Sequence, residues 1–256
     1  CEKSKRIVEF IPSSTMTKNP LNFRVLALHP KVLLLEWDQE PSETLLAFLL
    51  SFQIILEKQV KVTRCTMGYQ SLLVHLLVDM KSLAWWKQRL LELQPKVENQ
   101  TVNKGRHWKI PICYEPEYAP DLLALAEAVQ LKPEEVVQLH TQTLYRAYFL
   151  GFLPGFLYLN GLDKRLYCPR KEKPLLKVPK GVVGIGGMQT GIYPSSSPGG
   201  WHLVGTTPLS LFDAQQQPPC FATAGDWISF ESIDSKNYKA LQKKINQGTF
   251  RLKPHD

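Results

Sequence analysis

The chain has 256 residues with 44% hydrophobic and 21% charged content, and a formal net charge of +8. That is enough apolar material for one large or two small globular domains. The longest apolar runs, such as Leu45–Leu50, are far too short to span a bilayer, which excludes a helical membrane protein.

The opening CEKSKRIVEFIPSS carries charges but no apolar run of signal-peptide type, so a secretory signal is not expected. It begins with Cys rather than Met, which reads as an incomplete or processed start with Met16 as an alternative initiator. Residues 1–20, polar with Pro and Ser, are expected to form a loose arm. Val32–Trp37 has strand length, and Ser42 can cap a helix to about Lys58 with Leu45, Leu46, Leu49, Phe52 and Leu56 on one face. Val60–Cys65 and Ser71–Val78 read as strands about a turn at Gly68. Asp79 can cap a helix from Met80 to about Leu93. After a polar connection at Pro95–Gly105, His107–Cys113 reads as another strand. The order β-α-β-β-α-β predicts an α+β, ferredoxin-like N-terminal domain over 21–105, with the boundary near Gly105–Tyr114.

Residues 106–256 form the second expected domain. Asp121 can cap a short helix over Leu122–Val129, and Pro133 suits the first turn of another through His140. A DNA-reading helix pair is opposed by Glu134 and Glu135, which would repel phosphate, and no nucleic-acid partner is expected. Thr143–Phe149, Val182–Ile185, Gly191–Pro194, His202–Gly205, Leu209–Phe212 and Trp227–Phe230 are strand candidates. Ala224-Gly225-Asp226 reads as a turn, and Ser235–Gln247 as a closing basic helix. Many short strands joined by Gly- and Pro-rich turns predict a small β-barrel.

Most familiar catalytic patterns are missing. There is no P-loop, GxSxG or HExxH, and the five cysteines are widely spaced without CxxC, which favours reduced thiols in a cytoplasm over disulfides or zinc. Gly184-Ile185-Gly186 is half a dinucleotide fingerprint, but Gln189 takes the third glycine's place and no long helix can follow. The dense frame is Gly151–Asp213. In it Arg170 can clamp a carboxylate or phosphate, Gln189 and Thr190 sit between glycines, and Tyr193 and Trp201 flank SSSPGG as pocket walls or core aromatics. His140 ends a short helix, where the dipole favours the protonated ring, and is either a structural histidine or one that feeds a pocket.

GFLPGFLYL, CPR, GGMQTGIYPSSSPGGW and GTTPLSLF resemble the signature of the 5-oxoprolinase B-subunit family, also called allophanate hydrolase subunit 1, which includes a bacterial sporulation-kinase inhibitor. The resemblance extends upstream through IPICYEPEYAPDLLALAEAV and EEVVQLH, and more weakly GYQSLLVHL. It implies a cyclophilin-like β-barrel and a cytoplasmic subunit of an ATP-dependent 5-oxoprolinase. That enzyme opens 5-oxo-L-proline to L-glutamate together with two other subunits, one with a related barrel. It implies ATP shared with those subunits, with Mg accompanying it. With no self-contained nucleotide or nucleophile motif, the isolated chain is expected to be inactive. The site residues that the resemblance implies are His140 as acid/base or phosphate contact and Arg170 as anion clamp, with Gln189, Thr190, Tyr193 and Trp201 around the substrate. The alternative is a non-enzymatic regulator that binds a sensor histidine kinase. The chain departs from the family pattern at Gln70, Leu175 and Thr206, where arginines are usual, at Val182, where serine is, and at Lys132, where a small helix cap is.

Overall fold

In a computed structural model, residues 22–94 and 105–255 are described, and they divide into two compact units on either side of the intervening segment. The expected arm over 1–20 lies outside the described residues.

In the first unit, β1 (Phe23–His29) and β2 (Val32–Trp37) form a hairpin, followed by α1 (Glu43–Glu57), β3 (Val62–Met67), β4 (Ser71–Leu76) and α2 (Leu83–Leu93). The strands form an antiparallel sheet in the order β1-β2-β4-β3. Ser42 accepts from the Leu45 amide at 3.2 Å and starts α1, whose Leu45, Leu46, Leu49, Phe52 and Leu56 are buried. α2 starts two to three residues later than its sequence suggests, because Ser82, not Asp79, accepts the orphan amide of Trp85 at 3.2 Å.

The expected β-α-β-β-α-β order is corrected to β-β-α-β-β-α. His107–Cys113 is a strand, but it pairs in the second unit. Its place at the sheet edge beside β2 is taken by β1, so the sheet has the order of the expected fold with its last strand moved to the front. β1 alternates, with Phe23 and Val25 turned into the core, and a strand at either chain end can complete the same edge.

In the second unit, seven strands among the described residues close into a barrel. They are β5 (His107–Cys113), β6 (Tyr145–Leu150), β7 (Leu157–Asn160), β9 (Val182–Gly186), β10 (Gln189–Ile192), β12 (His202–Thr206) and β13 (Trp227–Ile233), in ring order β10-β7-β6-β13-β5-β12-β9. β13 and β5 run parallel; the other pairs are antiparallel. Two short strands, β8 (Leu175–Val178) and β11 (Ser197–Gly199), pair with each other outside the ring. Leu209–Phe212 is not a strand. Leu209 and Leu211 are buried, but only Phe212 makes a bridge, to Cys220, so the apolar alternation there reports packing rather than pairing.

α3 (Leu122–Ala128) lies against β12, α4 (Pro133–Gln142) against β13, and α5 (Ser235–Asn246) follows β13. Ile110, Ile112, Tyr145, Leu157, Leu159, Val183, Ile185, Ile192, Ile228 and Phe230 belong to the core inside the ring. Phe156, Val178, Val182, Tyr193, Trp201 and Leu203 form a second cluster. Asp226, after the Ala224-Gly225 turn, accepts from the Arg106 and Thr223 amides and the Trp108 indole, each at 2.9 Å, and ties β5 to β13. No helix of the described residues is long and apolar enough to cross a membrane.

Candidate functional site

The sequence-predicted site residues fall into two groups on opposite faces of β10. Strand alternation turns Thr190 and Ile192 inward, and Gly191 outward.

The inward group centres on His140. α4 begins with Pro133 at its first position, and Glu135 reaches back to the Lys132 amide at 2.7 Å, so the helix is well started without a small cap residue. Its last full turn buries His140 completely, at 0% exposure. The ring Nδ1 lies 2.8 Å from the Tyr114 hydroxyl and Nε2 lies 2.9 Å from Thr190 Oγ1. Thr190 donates its own proton to the Gly184 carbonyl at 3.0 Å, so its oxygen is left to accept from His140. The network therefore assigns the proton to Nε2 and makes Nδ1 the acceptor of the Tyr114 hydroxyl. Phe230 stacks on the ring at 4.7 Å, and the Tyr145 hydroxyl donates to the His140 carbonyl at 2.9 Å.

Burial pushes the His140 pKa down to about 3, so the ring is neutral. This corrects the sequence expectation of a protonated helix-end histidine. A dipole bonus of about 1 kcal/mol cannot offset the desolvation of an imidazolium with no carboxylate among its partners. In this fold the ring has no face open to solvent, and burial argues against a direct acid/base contact with a substrate. Thr190, also expected at the substrate, is fully buried in the same network.

The outward group is built on the glycines. A Cβ on Gly186 would stand 2.3 Å from Trp201 Cδ1, one on Gly184 3.0 Å from Trp201 Cβ, and one on Gly191 3.1 Å from Trp201 Cζ3. The half-fingerprint and its partner strand are thus a bed for an indole rather than for a phosphate. Gly199 plays the same part for Tyr193, whose hydroxyl would lie 2.4 Å from an added Cβ. Phe156 meets Tyr193 and Trp201 edge-on at 5.1 and 5.5 Å. Burial raises the Tyr193 phenol, with a hydrogen bond donated by the Trp201 backbone amide and the Arg170 charge opposing it.

Arg170 is exposed and holds its guanidinium 5.8 Å from the Trp201 ring centre. Its loop is pinned on both sides. Cys168 exchanges backbone hydrogen bonds with Gly187, the Lys171 amide donates to Gly200 at 2.7 Å, and His202 Nε2 donates to the Pro169 carbonyl at 3.0 Å. The Lys171 ammonium pairs with Asp121 at 2.5 Å. Asp121 therefore is not the side-chain cap expected for α3; its carboxylate takes Lys171 and the Leu203 amide instead. Gln189 opens β10 opposite Gly186, half-buried, on the hairpin that Cys168 bridges. Arg170, Tyr193, Trp201 and the Gln189 hairpin are brought to one side of the barrel; His140 and Thr190 are not.

Tyr114 and His202 were not singled out from sequence. Tyr158 pairs in register with Gly191, and its phenol is raised by burial against the opposing Arg170 charge. Of the positions where family arginines are replaced, Thr206 donates to the Tyr118 carbonyl at 2.7 Å and Gln70 donates to the Gln39 carbonyl, while Leu175 is exposed. Among the described residues no group of three or more His, Cys, Asp or Glu side chains could hold a metal ion. A magnesium ion that accompanies ATP takes most of its ligands from phosphate and water, and asks little of the protein.

Residues 23–222 match the family model for the carboxyltransferase domain, subdomains C and D. The chain is 47% identical over 160 residues to the 5-oxoprolinase B-subunit of Bacillus subtilis, covering 62% of this chain and 65% of that protein. It is 41% identical over 177 residues to the 5-oxoprolinase B-subunit of Haemophilus influenzae, covering 68% and 81%. Among solved structures, the K. lactis urea amidolyase superposes with a TM-score of 0.77 over 97% of this chain and 17% of that one, at 18% identity, which speaks for the fold alone. With a family model spanning the sheet of the first unit and most of the barrel, this chain belongs to the carboxyltransferase subdomain C and D family, among the 5-oxoprolinase B-subunits.

Proposed function

We propose that this chain is one subunit of an ATP-dependent 5-oxoprolinase, which opens 5-oxo-L-proline to L-glutamate with two other subunits. The observation that carries the reading is the Arg170 guanidinium, held on a pinned loop over an aromatic bed in a chain 47% identical to a 5-oxoprolinase B-subunit. A lactam is a poor electrophile, and phosphorylation of its carbonyl oxygen by ATP creates a good leaving group. Both the carboxylate of 5-oxoproline and the transferred phosphoryl group are anions that a guanidinium binds in bidentate fashion. Trp201 and Tyr193 give that anion a rigid, glycine-backed wall, and Gln189 offers an amide from the adjoining hairpin. His140 acts as a positioning residue: it holds β10 from inside the barrel. The sequence has no P-loop, so ATP is shared with the partner subunits and the chain alone is inactive.

A second reading has an observation of its own. Phe152, Leu175, Leu176 and Met188 are exposed apolar side chains on the barrel unit, a composition that suits a macromolecular partner. Under the first reading that partner is another subunit; under the second it is a sensor histidine kinase. The discriminating assay is 5-oxoproline-dependent ATP hydrolysis by the reconstituted three-subunit complex. Loss of turnover in Arg170→Ala supports the first reading. Normal turnover, together with inhibition of kinase autophosphorylation by the isolated chain, would support the second.

A further inference from the structure

The first unit carries a basic groove that the barrel chemistry does not use. Hydrogen bonds of its backbone gather three lysines at one end of the sheet. As β4 ends, the Leu76 amide donates to the Lys31 carbonyl at 2.8 Å and the Leu77 amide to the Lys61 carbonyl at 2.9 Å. The chain then passes Pro30, whose carbonyl takes the Met80 amide at 2.6 Å, and delivers Lys81 and the start of α2 to the same place. The result is a cavity of about 840 Å³ lined by Lys31, Lys61 and Lys81, with Val78, Met80 and Trp85 among its apolar wall residues. Its volume lies within the usual range of small-molecule sites, roughly 300–1,000 Å³.

Two features of this groove point to its ligand. The first is charge. Among the described residues no carboxylate lies within ion-pair distance of Lys31, Lys61 or Lys81, and the lining sets three ammonium groups against the single carboxylate of Asp79. Three like charges on one rim repel one another unless an anion lies between them. The second is the ring. Trp85 is 46% exposed, stands edge-on to the buried Trp86 at 5.0 Å, and carries the Lys61 ammonium 4.2 Å from its ring centre. A fixed, half-open indole beside clustered ammonium groups matches a ligand with a flat ring at one end and several negative charges at the other.

We propose that this groove binds a nucleoside polyphosphate, with the base stacked on Trp85 and the phosphates held by Lys31, Lys61 and Lys81. The site would give the ATP of the reaction above a place on this chain, and to that extent it rests on that reading. An acidic protein segment fits the charges less well, because its carboxylates would be spread along a chain rather than joined directly to one stacking ring.

The test is calorimetric titration of the full chain with ATP, AMP and inorganic triphosphate. The proteins compared are wild type, the Lys31→Ala/Lys81→Ala double variant, Trp85→Leu and Arg170→Ala, each with its melting curve. ATP is expected to bind more tightly than AMP or triphosphate. The double variant should weaken ATP at least about tenfold through lost charge-assisted contacts, and Trp85→Leu should weaken ATP while leaving triphosphate unchanged. No ATP binding, equal binding of triphosphate and ATP, or wild-type affinity in the double variant would overturn the proposal. Binding lost in Arg170→Ala but kept in the lysine variant would also overturn it, and would move the nucleotide to the barrel with the functional reading intact. Conversely, groove-dependent ATP binding alongside a reconstituted complex that cannot open 5-oxoproline would retain the site and remove the reading.

Discussion

The buried histidine makes a prediction that depends little on how far its pKa has moved. Unfolded, His140 titrates near 6.5; folded, it is held near 3 because burial penalises the imidazolium. Between those values the unfolded chain binds a proton that the folded chain refuses. Stability therefore is undiminished by this group above pH 6.5 and falls as pH drops below it, levelling off near pH 3. The slope is about 1.4 kcal/mol per pH unit. At pH 5 the folded ring is still neutral, so the loss is set by the unfolded value and amounts to roughly 2 kcal/mol. The comparison protein is His140→Gln, which keeps a donor and an acceptor in the cavity but does not titrate. At pH 7.5 it should be less stable than wild type by about 1–3 kcal/mol, because the Tyr114 and Thr190 hydroxyls lose an ideal partner.

The measurement is denaturant unfolding of both proteins at pH 7.5, 6 and 5. Other titrating groups act on both proteins alike, so the difference between them isolates the histidine. The advantage of wild type should shrink by about 1.4 kcal/mol per unit below pH 6.5. A difference that stays constant from pH 7.5 to 5 would refute the reasoning. It would mean that His140 takes up its proton in the folded state, which would restore the acid/base role that its burial now argues against.

Three further outcomes follow from the geometry. Arg170→Ala should reduce activity of the reconstituted complex by about tenfold or more with little change in melting temperature, since an exposed loop arginine contributes little packing. Gly186→Ala should lower stability by about 1–3 kcal/mol in chemical denaturation, because its methyl must displace the Trp201 indole, and wild-type stability would show that the indole bed is wrong. Asp226→Ala should destabilise by about 2–4 kcal/mol, since it orphans the Trp108 indole and two amides while Arg106 is partly exposed, and Asp226→Asn by less. Burial raises the Asp226 carboxyl, but hydrogen bonds from Trp108, Arg106 and Thr223 outweigh it and hold the net pKa below the ordinary value. Its contribution should therefore persist above the ordinary carboxylate range and vanish as pH falls through the lowered pKa, a dependence that Asp226→Asn should lack.

Much of the secondary structure was legible because it is local. Ser42 and the apolar face of α1, the strand over Val32–Trp37, and Pro133 at the start of α4 are decided by neighbours a few residues away. What sequence could not supply is partnership. His107–Cys113 was readable as a strand, but its neighbour β13 is some 120 residues away. The same alternation would have served in either sheet. Leu209–Phe212 shows the converse: alternation arises when two leucines pack inward, with no strand beside them to pair. The choice of Ser82 over Asp79 as a cap turned on where β4 released the chain, which Lys31, Lys61 and Pro30 settle through their carbonyls.

The residues expected at the site lie on two faces of the barrel wall, and β10 shows why the sequence alone did not separate them. A run such as Gln189-Thr190-Gly191-Ile192 states that polar, small and apolar side chains alternate, but not which side is the barrel interior. With Ile192 inside, Thr190 must also be inside, and a threonine there needs a partner that can give a hydrogen bond in a dry core. His140 is that partner, so its burial and the threonine's are one decision. Gly191 is then outside, in register with Tyr158 on one neighbour and Gly184 on the other, and the bare row accepts the Trp201 indole. The strand that His140 fixes from within is thus the strand on which the surface beneath Arg170 rests. On the proposed function, a histidine with no path to a substrate would still be required for activity, through the backbone it shares with the wall beneath Arg170.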